Sequence, residues 1–462
     1  MKSYSNNILG LIFVWFGIVS SAYGQSSQPN FLILLGDDIS ASNIGCYNSK
    51  NPGTTPHIDK LAEEGIRFTN MFVAEAMCAP TRAELYTGMS PYKNGCTVNH
   101  AATKTGTLSI VQHLEKLGYR VGLTGKRHFR PKSVYPFEFI DGFTPNCTLH
   151  GNAPENWEGV EEFVSRNPEQ PFCLIICSVH AHSPWDAGDA SLWDLDELKL
   201  PKNLVDTKET RHYYREYLAE IRLFDEQVGK ARETLKKHKL DESTALIVLD
   251  ENGVGMPGGK WTTYDLGVRS ACIMKWPKPY AAHFETDAIG KYCDILPTLI
   301  DAAGGVVSES MDGESLLPLI AGKKKEHREK AFFIYNSGPE GPAFSSRAVT
   351  DGRYKLIWTL TPENLYAVRT INGFDYFHVD KFEDRDVRKM YLSWLTKAGY
   401  DKNARDLVQR FRQRPEFQLF DLNSDPEEMN NLAEDRVYAD KLQELKIAIH
   451  QWMEEQGDLM IK

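Results

Sequence analysis

The chain has 462 residues, which is long for one hydrophobic core, so its length predicts one large domain and one smaller domain. Its hydrophobic fraction of 42% and charged fraction of 25% are those of an ordinary globular protein. The net charge is -10, which argues against nucleic acid as a partner but leaves room for a local basic pocket that binds an anionic substrate.

The N-terminal residues have the pattern of a secretory signal. Lys2 gives a positive start, residues 8–19 are apolar, and residues 22–24 (Ala-Tyr-Gly) form a small-x-small cleavage site. The apolar run is shorter than the ~20 residues that span a bilayer, and no Cys stands near the cleavage site, so we expect no stable membrane anchor. We predict a signal peptide at residues 1–24 and a secreted or periplasmic protein that begins near Gln25.

Continuous apolar runs predict strands that are buried on both faces. These runs are residues 30–35, 120–124, 172–177, 245–249 and 272–276. Segments with helical spacing of apolar residues lie between or beside them, at residues 57–64, 108–117, 213–237 and 294–303. Strands that alternate with helices predict an α/β fold, in which helices cover a large, mostly parallel sheet on both faces.

The pattern changes after a basic stretch at residues 322–326, which we expect to be a solvated link. Short strand-like segments follow at residues 331–335, 347–349, 354–359 and 418–422, and a last helix is predicted over residues 435–454. They predict a smaller antiparallel sheet with a C-terminal helix. We therefore place the catalytic α/β domain at residues 25–330 and a smaller C-terminal subdomain at residues 331–462.

Eight cysteines are too few for a disulfide scaffold in a chain of this length. Cys173, Cys177 and Cys272 lie in the apolar runs, and we expect them to be small core residues. The sequence leaves open which of the others pair.

Polar residues directly follow four of the predicted strands. They are Asp37 and Asp38, Lys126 and His128, His180 and His182, and Asp250 with Glu251 and Asn252. Ligands of a parallel sheet bind beyond the carboxyl ends of its strands, so these residues predict one shared site. The carboxylate and amide groups among them suit calcium or magnesium, unless each pair merely caps a turn.

The most specific signal is the string C-x-P-x-R-x-x-x-Y-T-G at residues 78–88. A lone cysteine before proline is most often a core residue. The whole string, however, resembles the modification motif of type I sulfatases, although Thr81 stands where the motif usually has Ser. The resemblance implies that a formylglycine-generating maturation enzyme oxidises Cys78 to an aldehyde, formylglycine.

The aldehyde has a chemical purpose in that family. It hydrates to a geminal diol, so one hydroxyl can attack sulfur while the other later expels sulfate and restores the aldehyde. A plain alcohol nucleophile would instead remain as a stable sulfate ester.

Further segments between residues 29 and 432 match the same family, whose fold is the alkaline-phosphatase-like sandwich. They are L-G-D-D at residues 35–38, G-K-x-H at 125–128, A-H-x-P at 181–184, G-K-x-x-x-Y at 259–264 and a C-terminal segment at 419–432. The family usually has Pro where this chain has Ala181. It also has Asp-Asn-Gly or Asp-His-Gly where this chain has Glu251-Asn252-Gly253, so Glu251 replaces the family's aspartate and Asp250 is the alternative ligand.

The resemblance implies a role for each matched residue. One Ca²⁺ per chain is expected to be held by Asp37, Asp38, Cys78, Glu251 and Asn252. Arg82, Lys126 and Lys260 are expected to bind the sulfate oxygens and offset charge in the transition state. His182 is expected to protonate the leaving alcohol and His128 to deprotonate the second hydroxyl, tasks that suit imidazole near neutral pH.

Neighbouring residues are candidate substrate contacts. The stretch at residues 126–132 is unusually basic, so Arg130 and Lys132 are candidates to grip further anionic groups of a polyanionic chain, unless the stretch is only a solvated face. His180 stands two residues before His182, so it either contacts substrate or packs in the core.

Residues 133–137, together with 93–95 and His100, are most similar to the branch that contains N-sulfoglucosamine sulfohydrolase, which often has Arg where this chain has Lys260. That branch also acts on other sulfated polysaccharides. We therefore expect a sulfuric ester hydrolase acting on a sulfated polysaccharide or its oligosaccharides, with the sugar and the choice of O-sulfate or N-sulfate left open.

Four alternatives remain at this point. They are the heparan sulfamidase itself, a phosphate or phosphonate ester hydrolase on the same fold, an aryl or choline sulfatase, and a non-catalytic glycan-binding protein. The last is disfavoured because a pure binder has no need of the modification motif.

Overall fold

The computed structural model describes residues 28–147, 155–280, 282–372 and 386–460. The predicted signal peptide lies outside the described residues. Among the helices that are described, none combines the length and the apolar character needed to cross a membrane.

The predicted apolar runs form five strands of the larger sheet, and the sequence did not predict the strands at residues 66–72, 138–139, 284–286 and 290–291. The strands of this sheet are β1 (Asn30–Gly36), β2 (Ile66–Phe72), β3 (Arg120–Gly125), β4 (Glu138–Phe139), β5 (Phe172–Cys177), β6 (Thr244–Asp250), β7 (Arg269–Lys275), β8 (Phe284–Thr286) and β9 (Gly290–Lys291). Within the described residues the order is β4-β3-β5-β1-β6-β7-β2-β8, with β9 beside β2. β1 pairs in parallel with β5 and β6, whereas β7 is antiparallel to β6 and β2. The sheet is therefore mixed but mostly parallel, as expected.

Helices cover both faces of this sheet. They are α1 (Pro56–Glu64), α2 (Cys78–Thr87), α3 (Pro91–Asn94), α4 (Ile110–Glu115), α5 (Glu158–Ser165), α6 (Lys208–Lys237), α7 (Asp265–Val268), α8 (Ile295–Ala302) and α9 (Leu317–Ile320). Alternate residues of β1 enter opposite cores: Phe31 and Ile33 join the core that contains α4 and α8, and Leu32 and Leu34 join the core that contains α1 and α6. Burial on both faces explains why the strands are uniformly apolar.

Some predicted bounds shift because of capping. α6 begins at Lys208, before the predicted start at residue 213, since the Thr207 hydroxyl accepts a hydrogen bond from the backbone N–H of Thr210. α4 is shorter than the predicted helix at residues 108–117. The three cysteines expected in the core, at positions 173, 177 and 272, are all buried in strands.

The smaller sheet is antiparallel, as expected. Its order is β10 (Ala331–Asn336), β11 (Ser345–Thr350), β12 (Tyr354–Thr359) and β13 (Phe417–Asp421). The C-terminal helices are α10 (Arg369–Asn372), α11 (Asp386–Ala398), α12 (Lys402–Arg412) and α13 (Ala439–Gln456). α13 packs on this sheet through Leu445, Ile449 and Met453. Sequence reasoning missed α11 and α12. In the core shared with α6, α11 buries Met390 and Trp394, and α12 buries Val408 and Phe411.

Candidate active site

Cys78 is the first residue of α2 and is buried. The helix begins there with two bonds from Thr81, whose N–H donates to the Met77 carbonyl and whose hydroxyl donates to the Glu75 carbonyl. Pro80 fits the first helical turn, where its missing N–H costs nothing. Thr81 thus makes a hydroxyl contact that a Ser at this position could also make, so this departure from the motif leaves the turn intact.

Two buried ammonium groups flank the sulfur of the unmodified Cys78. Lys260 Nζ lies 2.9 Å and Lys126 Nζ lies 3.2 Å from Sγ. Burial nevertheless raises the pKa of the Cys78 thiol well above its usual value, and the charge of Glu251 adds to this. The thiol therefore stays protonated at neutral pH and is poorly suited to act as a nucleophile without modification.

The two lysines are held in place by carboxylates. Lys126 Nζ lies 2.7 Å from both Asp37 oxygens and 3.0 Å from Glu251 Oε2. Lys260 Nζ lies 2.8 and 2.9 Å from the two Asp38 oxygens. Burial opposes their charge, but the carboxylates outweigh it and raise the pKa of both lysines above the usual value, so both stay cationic.

Arg82 fixes Glu251 from the other side. Its Nε and Nη2 lie 2.7 and 3.1 Å from the two Glu251 oxygens, and its Nη1 donates to the Lys126 carbonyl at 3.0 Å. Burial alone would raise the pKa of the Glu251 carboxyl, yet Arg82 and Lys126 hold it well below its usual value. Glu251 is therefore ionised at neutral pH.

A divalent cation fits the chemistry of this donor set. Ligand atoms of Asp37, Asp38 and Cys78 lie within 4.8 Å of one another. Asn252 Nδ2 donates to Asp38 Oδ1 at 2.8 Å, while its buried Oδ1 has no hydrogen-bond partner among the described residues. Clustered carboxylates and an unpaired amide oxygen are the ligands that Ca²⁺ prefers.

Of the two candidate acidic ligands after β6, it is Glu251 that contacts the cluster. Glu251 shares Lys126 with Asp37, whereas Asp250 is absent from the described contacts of Lys126 and Arg82. Burial raises the pKa of the Asp250 carboxyl well above its usual value. This geometry favours Glu251 over Asp250 as the cation ligand that joins Asp37, Asp38 and Asn252.

Both predicted acid–base histidines lie at the site. His182 Nδ1 donates to the Ser183 carbonyl at 2.7 Å, and its Nε2 lies 3.9 Å from Asp38 Oδ2. Burial lowers the pKa of His182 to about 3 and, with the charge of Lys126, that of His128 to about 2. Both imidazoles are therefore neutral in the free enzyme, and a bound sulfate anion would raise their pKa values.

The three candidate substrate contacts have different surroundings. His180 Nδ1 lies 3.4 Å from Glu220 Oε2 and its Nε2 lies 3.9 Å from Glu155, so its described contacts are with these carboxylates. Arg130 is exposed and its guanidinium donates to the His100 carbonyl. Lys132 is exposed.

Sequence reasoning did not connect Glu340 with this site. It lies after β10, far along the chain, and its Oε1 accepts a hydrogen bond from Asn99 Nδ2 at 2.6 Å. His100 Nδ1 lies 2.7 Å from His128 Nε2. No periodicity or motif signals the contact of Glu340 with Asn99, because that contact depends on how the two sheets pack.

Comparison with known protein families agrees with the geometry of this site. The family model described as Sulfatase matches residues 29–306, and the model described as N-sulphoglucosamine sulphohydrolase, C-terminal, matches residues 259–372. The chain therefore belongs to the sulfatase family and is a sulfuric ester hydrolase.

Individual relatives are similar over most of the chain. An ulvan-active sulfatase of Formosa agariphila is 31% identical, with 94% of this chain and 82% of that protein covered. Human N-sulphoglucosamine sulphohydrolase is 24% identical, with 94% of this chain and 91% of that protein covered. The solved structure of BT4656 with its substrate D-glucosamine-2-N,6-O-disulfate has a TM-score of 0.67 at 19% identity, covers 94% of this chain and 99% of that chain, and shows the same fold.

Proposed function

We propose that this sulfatase removes sulfate from a sulfated carbohydrate, either a polysaccharide or its oligosaccharides, in the periplasm or outside the cell. The observation that carries the proposal is the buried Cys78 sulfur, which lies between the two ammonium groups of Lys126 and Lys260. Two ammonium groups on one buried atom form a pocket for an anion. The names of the relatives, an ulvan-active sulfatase and an N-sulphoglucosamine sulphohydrolase, support a glycan as the substrate.

Residue 78 is the proposed nucleophile, after a maturation enzyme converts Cys78 to formylglycine. One hydroxyl of the hydrated aldehyde attacks sulfur, and the bond between sulfur and the sugar oxygen breaks. Arg82, Lys126 and Lys260 offset the negative charge that grows on the sulfate oxygens. Because these cations are already fixed by buried carboxylates, they need no rearrangement at the moment of reaction.

The proposed cation ligands are the oxygens of Asp37, Asp38, Glu251 and Asn252, together with residue 78. When bound, Ca²⁺ supplies positive charge for the sulfate oxygens. The protein's own contribution is to keep two of these carboxylates ionised although burial opposes their charge, because Lys260 lowers the pKa of Asp38 and Arg82 lowers that of Glu251.

The two histidines have opposite proton tasks in this proposal. With the substrate sulfate bound, His182 also carries a proton on Nε2 and gives it to the sugar oxygen that leaves, while its Nδ1 donates to the Ser183 carbonyl. His128 takes the proton of the second hydroxyl of residue 78. The carbon–oxygen bond to sulfate then breaks, and the aldehyde is restored.

Heparan sulfamidase activity is the second candidate function. The match of residues 259–372 to the C-terminal family model of N-sulphoglucosamine sulphohydrolase favours it specifically. Both candidates use the same nucleophile, so only the substrate distinguishes them.

The test combines the state of residue 78 with turnover. Protein made together with a maturation enzyme is digested, and the peptide that contains residue 78 is weighed by mass spectrometry. We expect the aldehyde mass, and hydrolysis of an aryl sulfate in preference to the matching aryl phosphate. Cys78→Ala and protein made without the maturation enzyme are the controls.

A panel of O-sulfated and N-sulfated oligosaccharides then separates the two candidates. Release of sulfate from N-sulfoglucosamine alone would assign the sulfamidase. An unmodified Cys78 in a folded protein that only binds sulfated glycans would contradict both candidates.

A further inference from the structure

The proposed base, His128, is the first member of a chain of three titratable side chains. Its Nε2 lies 2.7 Å from His100 Nδ1, and His100 Nε2 lies 3.5 Å from Glu340 Oε1. The ring centroids of the two histidines are 4.7 Å apart. The Glu340 side chain is only 13% exposed, whereas that of His100 is 58% exposed. The three side chains therefore connect the site with a largely buried carboxylate that follows the first strand of the smaller sheet.

The carboxylate of Glu340 is fixed by Asn99. Asn99 Nδ2 donates to Glu340 Oε1 at 2.6 Å, and Asn99 Oδ1 accepts the backbone N–H of Ala79 at 3.3 Å. Since Ala79 follows residue 78, the amide ties Glu340 to the first turn of α2. Burial raises the pKa of Glu340, but the contact with His100 and the hydrogen bond from Asn99 outweigh it and hold the pKa below its usual value. Glu340 is therefore ionised.

The backbone that carries His100 is also held. Arg130 donates to the His100 carbonyl, and the Arg130 carbonyl accepts the Thr103 N–H at 2.9 Å. His100 has a φ of 63°, a left-handed conformation that non-glycine residues seldom adopt without support. Arg130 thus has a structural contact with this loop.

We infer that Glu340 and His100 are positioning residues that set the tautomer of His128, an inference that rests on the proposed function. An ionised carboxylate only accepts hydrogen bonds, so His100 carries its proton on Nε2. His100 Nδ1 is then an acceptor, and His128 must donate to it from Nε2. This order leaves His128 Nδ1 with a free lone pair, which is the state that a general base requires.

The three side chains of His128, His100 and Glu340 act on the second half of the reaction, in which sulfate leaves residue 78. His128 Nδ1 takes the proton of the remaining hydroxyl on residue 78, and the carbon–oxygen double bond re-forms. The bond between that carbon and the sulfate oxygen breaks, and sulfate leaves with the bonding electrons. The first half, in which the substrate's alcohol leaves, does not use this base.

The test uses Glu340→Gln and His100→Gln in the matured full-length enzyme, with 4-nitrophenyl sulfate as the probe. Each variant is expected to release one equivalent of nitrophenol per enzyme in a burst and then turn over about 10–100-fold more slowly than wild type. Because only the second half slows, kcat and KM fall together and kcat/KM stays unchanged. Mass spectrometry of the quenched enzyme should find sulfate on residue 78.

Two comparisons make the test specific. Glu329→Gln makes the same chemical change at an exposed position and should behave as wild type. Glu340→Gln combined with His128→Ala should be no slower than His128→Ala alone, because both changes disable one unit. His100 is exposed, so His100→Gln keeps the fold even if Glu340→Gln does not.

The inference and the proposed function fail in different ways. Wild type that is modified yet hydrolyses no sulfate ester contradicts the proposed function. Active wild type whose Glu340 and His100 variants show no burst and no sulfated residue 78, or lose only substrate affinity, overturns the inference alone.

Discussion

At the scale of single residues, the site is a set of charges from which water is largely excluded. Arg82, Lys126 and Lys260 are each at most 2% exposed, and each bonds to a buried carboxylate. A buried charge is tolerated when it is paired and hydrogen-bonded, and removing one partner leaves the other uncompensated. The charges that hold the anion pocket together are thus the same ones that we propose for catalysis.

The identity of the acidic cation ligand after β6 is a first prediction. Glu251→Ala is expected to lose bound Ca²⁺, because Glu251 is joined to Asp37 through Lys126, while Asp250→Ala keeps it. The two substitutions each remove one buried carboxyl group at adjacent positions, so each controls for the other. Elemental analysis of the purified proteins is the measurement, and full occupancy in Glu251→Ala would assign the ligand to Asp250.

A second prediction concerns the shape of Arg82 rather than its charge. Arg82→Lys keeps the positive charge but loses the fork that meets both Glu251 oxygens and the Lys126 carbonyl. Buried acceptors left without donors are expected to lower the free energy of unfolding by about 1–3 kcal/mol in urea titrations. Arg353→Lys, at an exposed arginine paired with Asp421, should leave the urea midpoint unchanged, and equal midpoints for both variants would refute the argument.

At the scale of elements, a buried ionic cluster joins α7 to the smaller sheet. Lys355 of β12 lies 2.5 Å from Asp265 of α7 and 3.3 Å from Glu428, and the Asp265 N–H donates to Glu428 at 2.7 Å. Burial, with the charge of Asp265, raises the pKa of Glu428 to about 7 despite the bond to Lys355. The ammonium group of Lys355 thus pairs with two carboxylates.

The third prediction is a pH dependence of stability that arises from Glu428. Its carboxyl binds a proton more tightly in the folded state, with a pKa of about 7, than in the unfolded state, where the value is 4.5. Unfolding therefore releases a proton between these values, and wild type loses up to about 3 kcal/mol of stability relative to Glu428→Gln as the pH rises from 4.5 to 7. Urea titrations across this window measure the difference, and parallel curves for the two proteins would contradict the prediction.

At the scale of the whole molecule, one buried arginine joins three parts of the chain. Arg347 of β11 donates to Asp458 near the C-terminus at 2.5 and 3.2 Å and to the Tyr92 hydroxyl of α3 at 2.6 Å. Both sheets also share a core, since Phe333 and Ile357 of the smaller sheet pack in the same cluster as β1. The division between residues 330 and 331, at the edge of β10, stays a prediction.

The fourth prediction follows from the contact between Arg347 and Asp458. Asp458→Ala leaves the Arg347 guanidinium buried without its carboxylate and is expected to lower the free energy of unfolding by about 3–5 kcal/mol. Glu455→Ala, on the exposed face of α13, is the control and should change it by no more than about 0.5 kcal/mol. Urea unfolding followed by circular dichroism measures both, and a loss no greater than the control's would show that the pair does not hold the C-terminal segment to the smaller sheet.

The sequence by itself determined the fold class, five strands of the larger sheet (β1, β3, β5, β6 and β7) and the family. Strands buried on both faces must be apolar throughout, and the modification motif needs its residues at fixed spacing along one helix, so both can be seen in a short stretch of sequence. The same holds for the polar residues at the strand ends, which the parallel arrangement of β1, β5 and β6 brings to one edge.

The tertiary structure alone decided which charges meet. Three contacts join residues from different elements. Glu251, and not Asp250, shares Lys126 with Asp37. His180 contacts Glu220, and His100 connects His128 with Glu340. Such contacts depend on the packing of distant segments, and periodicity along the chain does not encode them.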